Sequence, residues 1–180
     1  MLMIPKTVST PMRSSSFKSA SATVNAIRSL YHMDDSICNS DKEKTMPGTT
    51  KYITLEDAKK AMAAAEAEAR KNNWNVAIAI LDAGANLIMF QKIDDTQLGS
   101  VAIAIGKART AVHFKRPTKA IEDMIVGGRQ VFLAIEGITP LQGGLPVMAD
   151  GKLIGAVGVS GVMSNQDEQV AQAAVSVLSM

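Results

Sequence analysis

Residues 145–161 read LPVMADGKLIGAVGVSG, and three of their four glycines, Gly155, Gly158 and Gly161, recur at regular spacing inside an apolar sequence that favours β-structure. Glycine weakens a strand because it has no side chain to pack and loses much conformational entropy on folding. Three glycines at regular spacing therefore imply that a ligand or another part of the protein comes close to the backbone. Strand residues three apart face opposite sides, so Gly158 is expected to face away from the other two.

The glycine spacing excludes the common phosphate-binding loops. A dinucleotide-binding turn needs G-x-G-x-x-G and a P-loop needs G-x-x-x-x-G-K-[ST], whereas this stretch has G-x-x-G-x-x-G. Gly106-Lys107 and Gly151-Lys152 lack both the first glycine and the hydroxyl residue of a P-loop. We expect instead that the glycines let helices lie close on each side of a sheet, including the small-residue segment 99–111.

The composition is that of one globular domain. The chain has 180 residues, 47% of them hydrophobic, and no apolar run approaches the roughly 18 residues of a membrane span, so no membrane partner is expected. Residues 46–180 contain 13 basic and 13 acidic side chains and few aromatic ones, so no nucleic-acid partner is expected either. The single cysteine, Cys38, excludes an internal disulfide and a cysteine-ligated metal in the folded domain.

Residues 1–48 are predicted to be a disordered or targeting extension to a domain at 49–180. The first thirty residues contain four basic residues, no acidic one and many serines and threonines, which is typical of organelle transit peptides. Three interpretations stay open. The protein is cytoplasmic with a disordered extension, or residues 1–30 direct it to mitochondria, or translation starts at Met46 rather than Met1.

Hydrophobic periodicity predicts an α+β domain whose antiparallel strands are joined by hairpins. Thr54 and Asp57 form a capping-box-like start for the first helix. An apolar piece at 131–135 has no clear type. The predicted helices cover about 54–72, 96–112, 119–125 and 165–178, and the predicted strands cover 76–81, 87–91 and the two sides of a turn at 149–152.

Five phrases, in order, resemble the GlcG/HbpS-like family of haem-binding and haem-degrading proteins. The resemblance covers about Tyr52 to Leu178. The phrases are ITLEDAKKAMAAAEAEARKNN (53–73), VAIAILDAGANLIMFQKID (76–94), SVAIAIGKARTAVHF (100–114), GGLPVMADGKLIGAVGVSG (143–161) and QDEQVAQAAV (166–175).

The resemblance implies a profilin-like, three-layer α/β/α fold around a five-stranded antiparallel sheet. It also implies haem as a cofactor and a symmetric homo-oligomer, octamers being among the family's assemblies. Two places depart from the family pattern: residues 161–164 replace a small-residue pair, and residues 113–115 are bulky where relatives are small or apolar. Because one fold hosts many functions, the chemistry needs its own evidence.

The candidate ligand-binding residues lie between Arg109 and Lys119. Arg109, Lys115, Arg116 and Lys119 are interpreted either as a solvated helix end or as a rim that holds carboxylates. His113 is the only histidine of the domain, which excludes a two-histidine zinc site. It is either a helix-end residue, an axial haem ligand or a general acid/base.

Thr118 is the second candidate ligand of a haem iron. The resemblance implies this role, because a threonine has been linked to iron ligation in the haem-binding relatives. The alternative is that Thr118 caps the following helix.

Four carboxylates are candidates for acid/base chemistry. Asp82 is expected in a hairpin turn, and Asp167 and Glu168 at a helix start, so their roles are expected to be structural. Glu136, between an apolar piece and a turn, is predicted to be partly buried and suited to act as a general base.

We therefore expect a domain that binds a flat, anionic small molecule, with haem as the leading ligand. A cofactor-free enzyme that uses His113 or Glu136 as a base on a small oxygenated or aromatic metabolite is the second possibility. A purely structural oligomer subunit is the third.

Overall fold

The structure is a computed structural model that describes residues 51–178. The extension at 1–48, its targeting role and the start at Met46 lie outside the described residues. In chain order the elements are α1 (Leu55–Lys71), β1 (Ala77–Asp82), β2 (Leu87–Lys92), α2 (Ser100–Phe114), α3 (Thr118–Val126), a 3₁₀ helix (Gln130–Ala134), β3 (Gly144–Ala149), β4 (Lys152–Ser160) and α4 (Ser164–Leu178).

The sheet is antiparallel with strand order β2-β1-β4-β3. The expectation of five strands is wrong, since four strands form among residues 51–178. The apolar piece of uncertain type is a 3₁₀ helix whose backbone pairs locally, with Phe132 N donating to Arg129 O at 3.2 Å and Ile135 N donating to Phe132 O at 3.1 Å. Those groups are therefore not free to pair with a strand.

Helices cover both faces of the sheet, which gives the expected three layers. On one face, α1 and α4 pack on each other and on the sheet around side chains such as Ile78, Ile80 and Val157. On the other face, α2 packs on small side chains such as Ala79 and Ala156. Because these side chains are small, α2 lies close to the sheet. Within the described part of the chain, no helix is both long and apolar enough to span a membrane.

The first helix begins as the sequence predicts. Thr54 Oγ1 accepts a hydrogen bond from Asp57 N at 3.1 Å, and Asp57 Oδ2 accepts one from Thr54 N at 3.1 Å. The capping box therefore satisfies two backbone donors that would otherwise be free at the helix start. Hydrogen bonds from Thr54 lower the pKa of Asp57.

The strand glycines make room for two different neighbours. A Cβ at Gly158 would lie 2.1 Å from Ala104 O and 2.9 Å from Ala108 Cβ, so α2 packs directly on this glycine, as expected. The expectation that Gly155 and Gly161 also make room for helices is wrong, because the nearest atom to a Cβ at each position belongs to another stretch of backbone. A Cβ at Gly155 would lie 2.3 Å from Leu81 O, and one at Gly161 would lie 2.3 Å from Asn75 O. Those glycines accommodate the neighbouring backbone.

Candidate functional site

The C-terminal end of α2 presents cations to solvent. Arg109 and His113 are both exposed, and their four-residue spacing puts them on the same face of the helix. The helix ends at Lys115, whose left-handed φ of 51° turns the chain away and whose N–H donates to Val112 O at 3.3 Å. Arg116 follows, exposed, with Nε donating to Phe114 O at 3.3 Å.

Thr118 fixes the start of α3 against the sheet. Its side chain is fully buried, its hydroxyl oxygen accepts from Gly144 N at 2.9 Å, and it lies 3.4 Å from Gly144 O as a donor. The suggested capping role for Thr118 is wrong, because the cap is Pro117 and Thr118 is already helical. A role of Thr118 in iron binding stays a prediction. Its hydroxyl is already hydrogen-bonded to the backbone of Gly144 in β3.

Lys119 differs from the other cations of this region. Its ammonium pairs with Asp123, one turn further along α3, and hydrogen bonding to that carboxylate raises the pKa of Lys119. None of the ion pairs within residues 51–178 includes Arg109, Lys115 or Arg116. Arg109, His113 and Arg116 are therefore exposed and outside these ion pairs, whereas Lys119 is paired.

Residues 126–142, which we call the wrap segment, run over α2 and α3 beside these cations. The Phe132 ring contacts the Phe114 ring, with centroids 6.3 Å apart and planes tilted by 47°. Further along, Thr139 N donates to Thr110 Oγ1 at 2.8 Å. Because Thr110 and Phe114 are one turn apart, the segment lies along α2 next to the face that carries Arg109 and His113.

The wrap segment exposes an unusual amount of apolar surface. We call this the apolar strip, and its members are Val126 (81% exposed), Val131 (70%), Leu133 (62%), Ile135 (43%) and Leu141 (43%). Single exposed apolar residues are normal, whereas several within one short segment suggest a ligand or protein contact. Phe132, whose ring contacts Phe114 near the end of α2, lies between two members of the strip in the chain, Val131 and Leu133.

Glu136 also lies in the wrap segment, directly after Ile135 and before Gly137, whose φ is +76°. The side chain is exposed. The expectation of a partly buried carboxylate is therefore wrong, because the turn carries Glu136 away from the core. Its role as a base stays a prediction.

The sequence reasoning missed a buried ion pair between α2 and α4. Lys107 Nζ lies 2.7 Å from Asp167 Oδ2, with side-chain exposures of 2% and 3%, and it also donates to Val159 O at 2.9 Å. Burial raises the pKa of Asp167, against the effect of its hydrogen bond from Lys107. Asp167 does stand in the first turn of α4 as expected, but it binds Lys107 there.

The glycine pair 143–144 gives a sequence signal for that ion pair. A Cβ on Gly143 would lie 2.9 Å from Lys107 Nζ and 2.8 Å from Asp167 Cβ, and the φ of Gly143 is +118°. Only glycine combines that backbone angle with that space. Two adjacent glycines at the start of a strand thus indicate that the side chain of another residue lies close to the backbone there.

Glu168, adjacent to Asp167, has one carboxylate oxygen, Oε2, that is shielded from solvent and has no hydrogen-bond partner among residues 51–178. Its charge acts on Lys119, whose pKa it helps to raise. A shielded acceptor without a donor is rare in folded proteins. This carboxylate fits acid/base chemistry better than the exposed Glu136 does.

A separate cleft of about 370 Å³ lies at the C-terminal end of α1. It is lined by Arg70, Asn73, Trp74, Asn75 and Ile93. The guanidinium of Arg70 is already paired with Glu66 at 2.6 Å, so the cleft offers little free charge. Among residues 51–178, no group of three or more histidines, cysteines and carboxylates is placed to hold a metal ion.

The site at the end of α2 can bind an anion beside an apolar surface. Free guanidinium groups hold carboxylates by charge-assisted, often bidentate hydrogen bonds. The imidazole of His113 can ligate a metal or transfer a proton. The apolar strip can bury a flat, poorly soluble body.

Comparison with known proteins gives consistent matches. The family model described as "Haem degrading protein HbpS-like" matches residues 53–176. Protein GlcG of Escherichia coli strain K12 is 44% identical over 112 residues, which cover 62% of this chain and 84% of GlcG.

Two solved structures have the same fold. A double mutant of Streptomyces reticuli HbpS superposes with a TM-score of 0.69 and 32% identity over 74% of this chain and 92% of the HbpS chain. A PduOC–heme complex superposes with a TM-score of 0.66 and 27% identity over 71% of this chain and 95% of PduOC.

Proposed function

The chain belongs to the HbpS-like family, and on that premise we propose that it binds haem or a similarly flat anionic small molecule at the end of α2. One observation carries the proposal: the wrap segment with its exposed apolar residues packs on α2 at Thr110 and Phe114, the part of the helix where Arg109, His113 and Arg116 are exposed. A ligand with an apolar body and carboxylate groups is complementary to both. The haem in the PduOC structure and the description of the family support the same ligand class.

The residues present fit haem. The apolar strip suits the macrocycle, Arg109 and Arg116 suit its carboxylates, and the exposed imidazole of His113 suits its iron. Haem, when bound, would supply redox and oxygen chemistry at its iron. Thr118, with its hydroxyl engaged by Gly144, is assigned the role of holding this region on the sheet.

An absorbance titration of the purified protein with haemin tests the proposal. Leu133→Lys places a charge in the strip and should weaken binding at least about tenfold, since burial of a leucine side chain contributes about 1.5–3 kcal/mol. Leu98→Lys is the matched control, because Leu98 is also highly exposed (88%) but lies before the other end of α2. His113→Ala should change the haem spectrum. Wild-type protein that binds neither haemin nor a metal-free dicarboxylate porphyrin would refute the proposal.

A cofactor-free acid/base enzyme is the second candidate function. The shielded oxygen of Glu168 favours it, because this acceptor receives no hydrogen bond from any side chain or backbone group of residues 51–178. His113 or Glu136 would then take the second proton-transfer role. Loss of turnover on a small metabolite in Glu168→Gln, with haemin binding unchanged, would favour this function over the first.

We also propose that the fold is profilin-like and that the chain forms a symmetric homo-oligomer, such as an octamer. The apolar strip also suits a contact between copies of the chain. Sedimentation of the wild type and of Leu133→Lys separates the two uses of the strip. If Leu133→Lys dissociates the protein while haemin binding is kept, the strip is a subunit contact.

A further inference from the structure

The wrap segment holds a cation that the sequence did not single out. Arg129 precedes the 3₁₀ helix, and its Cζ lies 4.9 Å from the centroid of the Phe132 ring. Its Nη1 contacts Met124 Sδ at 3.8 Å, which is a weak interaction. The side chain is exposed, and none of the ion pairs within residues 51–178 includes it.

Arg129 and Arg116 are attached to the two members of one aromatic pair. Arg116 Nε bonds the backbone oxygen of Phe114, Phe114 contacts Phe132, and Arg129 stacks on Phe132. Each guanidinium keeps most of its donors free. By contrast, the guanidinium of Arg70 is taken up by Glu66.

The surroundings of Arg129 are apolar. Val126 and Val131, on either side of it in the chain, are 81% and 70% exposed. An exposed cation on an aromatic ring contributes only about 0.5–1 kcal/mol to stability, so the stack alone gives little reason for this arrangement. Two exposed guanidinium groups, each in contact with one residue of the same aromatic pair, are complementary to a flat molecule with anionic groups.

We propose that Arg129 is a further anion-binding residue of the site and that it binds a different carboxylate of the flat ligand from the one that Arg116 binds. Stacking on Phe132 holds the planar guanidinium in place before the ligand arrives. Arg129 binds one carboxylate, and Arg116, together with Arg109, binds the other. This inference rests on the proposed function, since it assigns the ligand of the same surface.

The test measures the affinity of one ring system with two, one or no free carboxylates. Metal-free deuteroporphyrin, its monomethyl ester and its dimethyl ester serve as probes, and fluorescence anisotropy reports binding without any activity. The variants are Arg129→Ala, Arg129→Lys and, as a control with the same loss of charge, Lys152→Ala at the start of β4. Circular dichroism verifies that each variant is folded.

Arg129→Ala should weaken binding of the dicarboxylate about tenfold or more and leave the affinity for the dimethyl ester within about twofold, because one charged hydrogen-bonding group is lost. Arg129→Lys should give an intermediate loss, since lysine keeps the charge without the planar fork. Lys152→Ala should change neither affinity. The double variant Arg116→Ala/Arg129→Ala should bind the dicarboxylate more weakly than either single variant does.

Two results would overturn the inference while the proposed function stands. Arg129→Ala could bind the dicarboxylate as the wild type does, or it could lose the dicarboxylate and the diester equally, which would show that Arg129 only packs on Phe132. Wild-type protein that binds neither the dicarboxylate nor haemin would overturn both proposals.

Discussion

Helix α2 carries cations in two contrasting environments. In its middle, Lys107 is 2% exposed and its ammonium lies 2.7 Å from the carboxylate of Asp167. At its C-terminal end, Arg109 and His113 are exposed, as is Arg116 just beyond it. The same helix therefore holds one cation that no ligand can reach and several that are open to one.

The difference shows that burial decides what a charged residue does. Lys107 has exchanged water for Asp167 and Val159 O, so removing either partner would leave a charge in the core. The cations at the helix end remain hydrated, so their loss costs little folding free energy and their pairing with an anion is open. Substitutions in the middle should change stability, and those at the end should change binding.

Breaking the buried pair should have the largest effect. Lys107→Met or Asp167→Asn should each lower the free energy of unfolding by about 3–5 kcal/mol, because each leaves a buried polar partner uncompensated. Urea denaturation followed by circular dichroism measures the change.

The double variant Lys107→Met/Asp167→Leu sharpens this result. It removes both charges and should recover much of the stability lost in each single variant, since apolar replacement of a whole buried pair is often neutral. Additive losses in the double variant would show that the two side chains act independently.

Gly158→Ala tests how closely the middle of α2 is held to the sheet. The added Cβ would lie 2.1 Å from Ala104 O, so the helix or the strand must move. We expect a loss near the upper end of the roughly 1–3 kcal/mol that overpacking costs, measured by urea denaturation. Gly99→Ala is the control, because a Cβ at Gly99 meets open space and its φ lies outside the left-handed region. Gly151 is unsuitable, since its φ of +73° would strain an alanine. Gly99→Ala should therefore keep wild-type stability, and equal losses in both variants would contradict the close contact.

Local patterns in the sequence predicted the elements that depend on local interactions. The capping box at Thr54, the turn at Asp82 and the strand pair around 149–152 all have short-range causes and are present. Helix α2 begins later than expected, at Ser100, because residues 93–99 form turns in which Thr96 Oγ1 donates to Ile93 O at 2.6 Å. That hydrogen bond competes with helix formation.

The features that the sequence did not reveal depend on distant contacts. Lys107 and Asp167 are 60 residues apart, and either alone has the pattern of an exposed helix residue. The 3₁₀ helix was ambiguous because a short apolar run fits a strand as well as a buried turn. For the candidate site, the sequence indicates the cations at 109–116, whose binding role stays a prediction, whereas the exposed apolar residues near them depend on how the wrap segment packs on α2.

Arg116→Ala tests the exposed end of α2. We expect affinity for an anionic flat ligand such as haemin to fall by about 1.5–3 kcal/mol, roughly ten- to a hundredfold, because one charged hydrogen bond is lost. Stability should stay within about 0.5 kcal/mol of wild type, as for most surface changes. An absorbance titration and urea denaturation measure the two quantities, with Lys152→Ala as control. If Arg116→Ala lost stability but kept its affinity, the end of α2 would behave as its middle is expected to, which would contradict the comparison.

The smallest expected effect concerns carboxylates in the same two kinds of environment. Hydrogen bonds from the backbone of Asn86 and Gly84 hold the pKa of Asp82 below its ordinary value of 3.8, whereas burial raises the pKa of Asp167. Because the folded protein binds the Asp82 proton more weakly than the unfolded chain does, the stability from Asp82 is present above about pH 3.8 and is lost as the pH falls through the folded pKa. For Asp167 the sign is opposite: stability falls as the pH rises from the ordinary value through its folded pKa.

Asp82→Ala should therefore lower the free energy of unfolding by about 1 kcal/mol at neutral pH, the contribution of a typical hydrogen bond, and by less in acid. Asp94→Ala, a change at an exposed carboxylate in the loop after β2, should have a smaller effect at either pH. Urea denaturation at about pH 7 and about pH 3 gives the two differences. If Asp82→Ala cost as much in acid as at neutral pH, the ionised carboxylate would not be what holds the turn. The contrast between exposed and buried charges would then hold for the cations of α2 but not for the carboxylates Asp82 and Asp167.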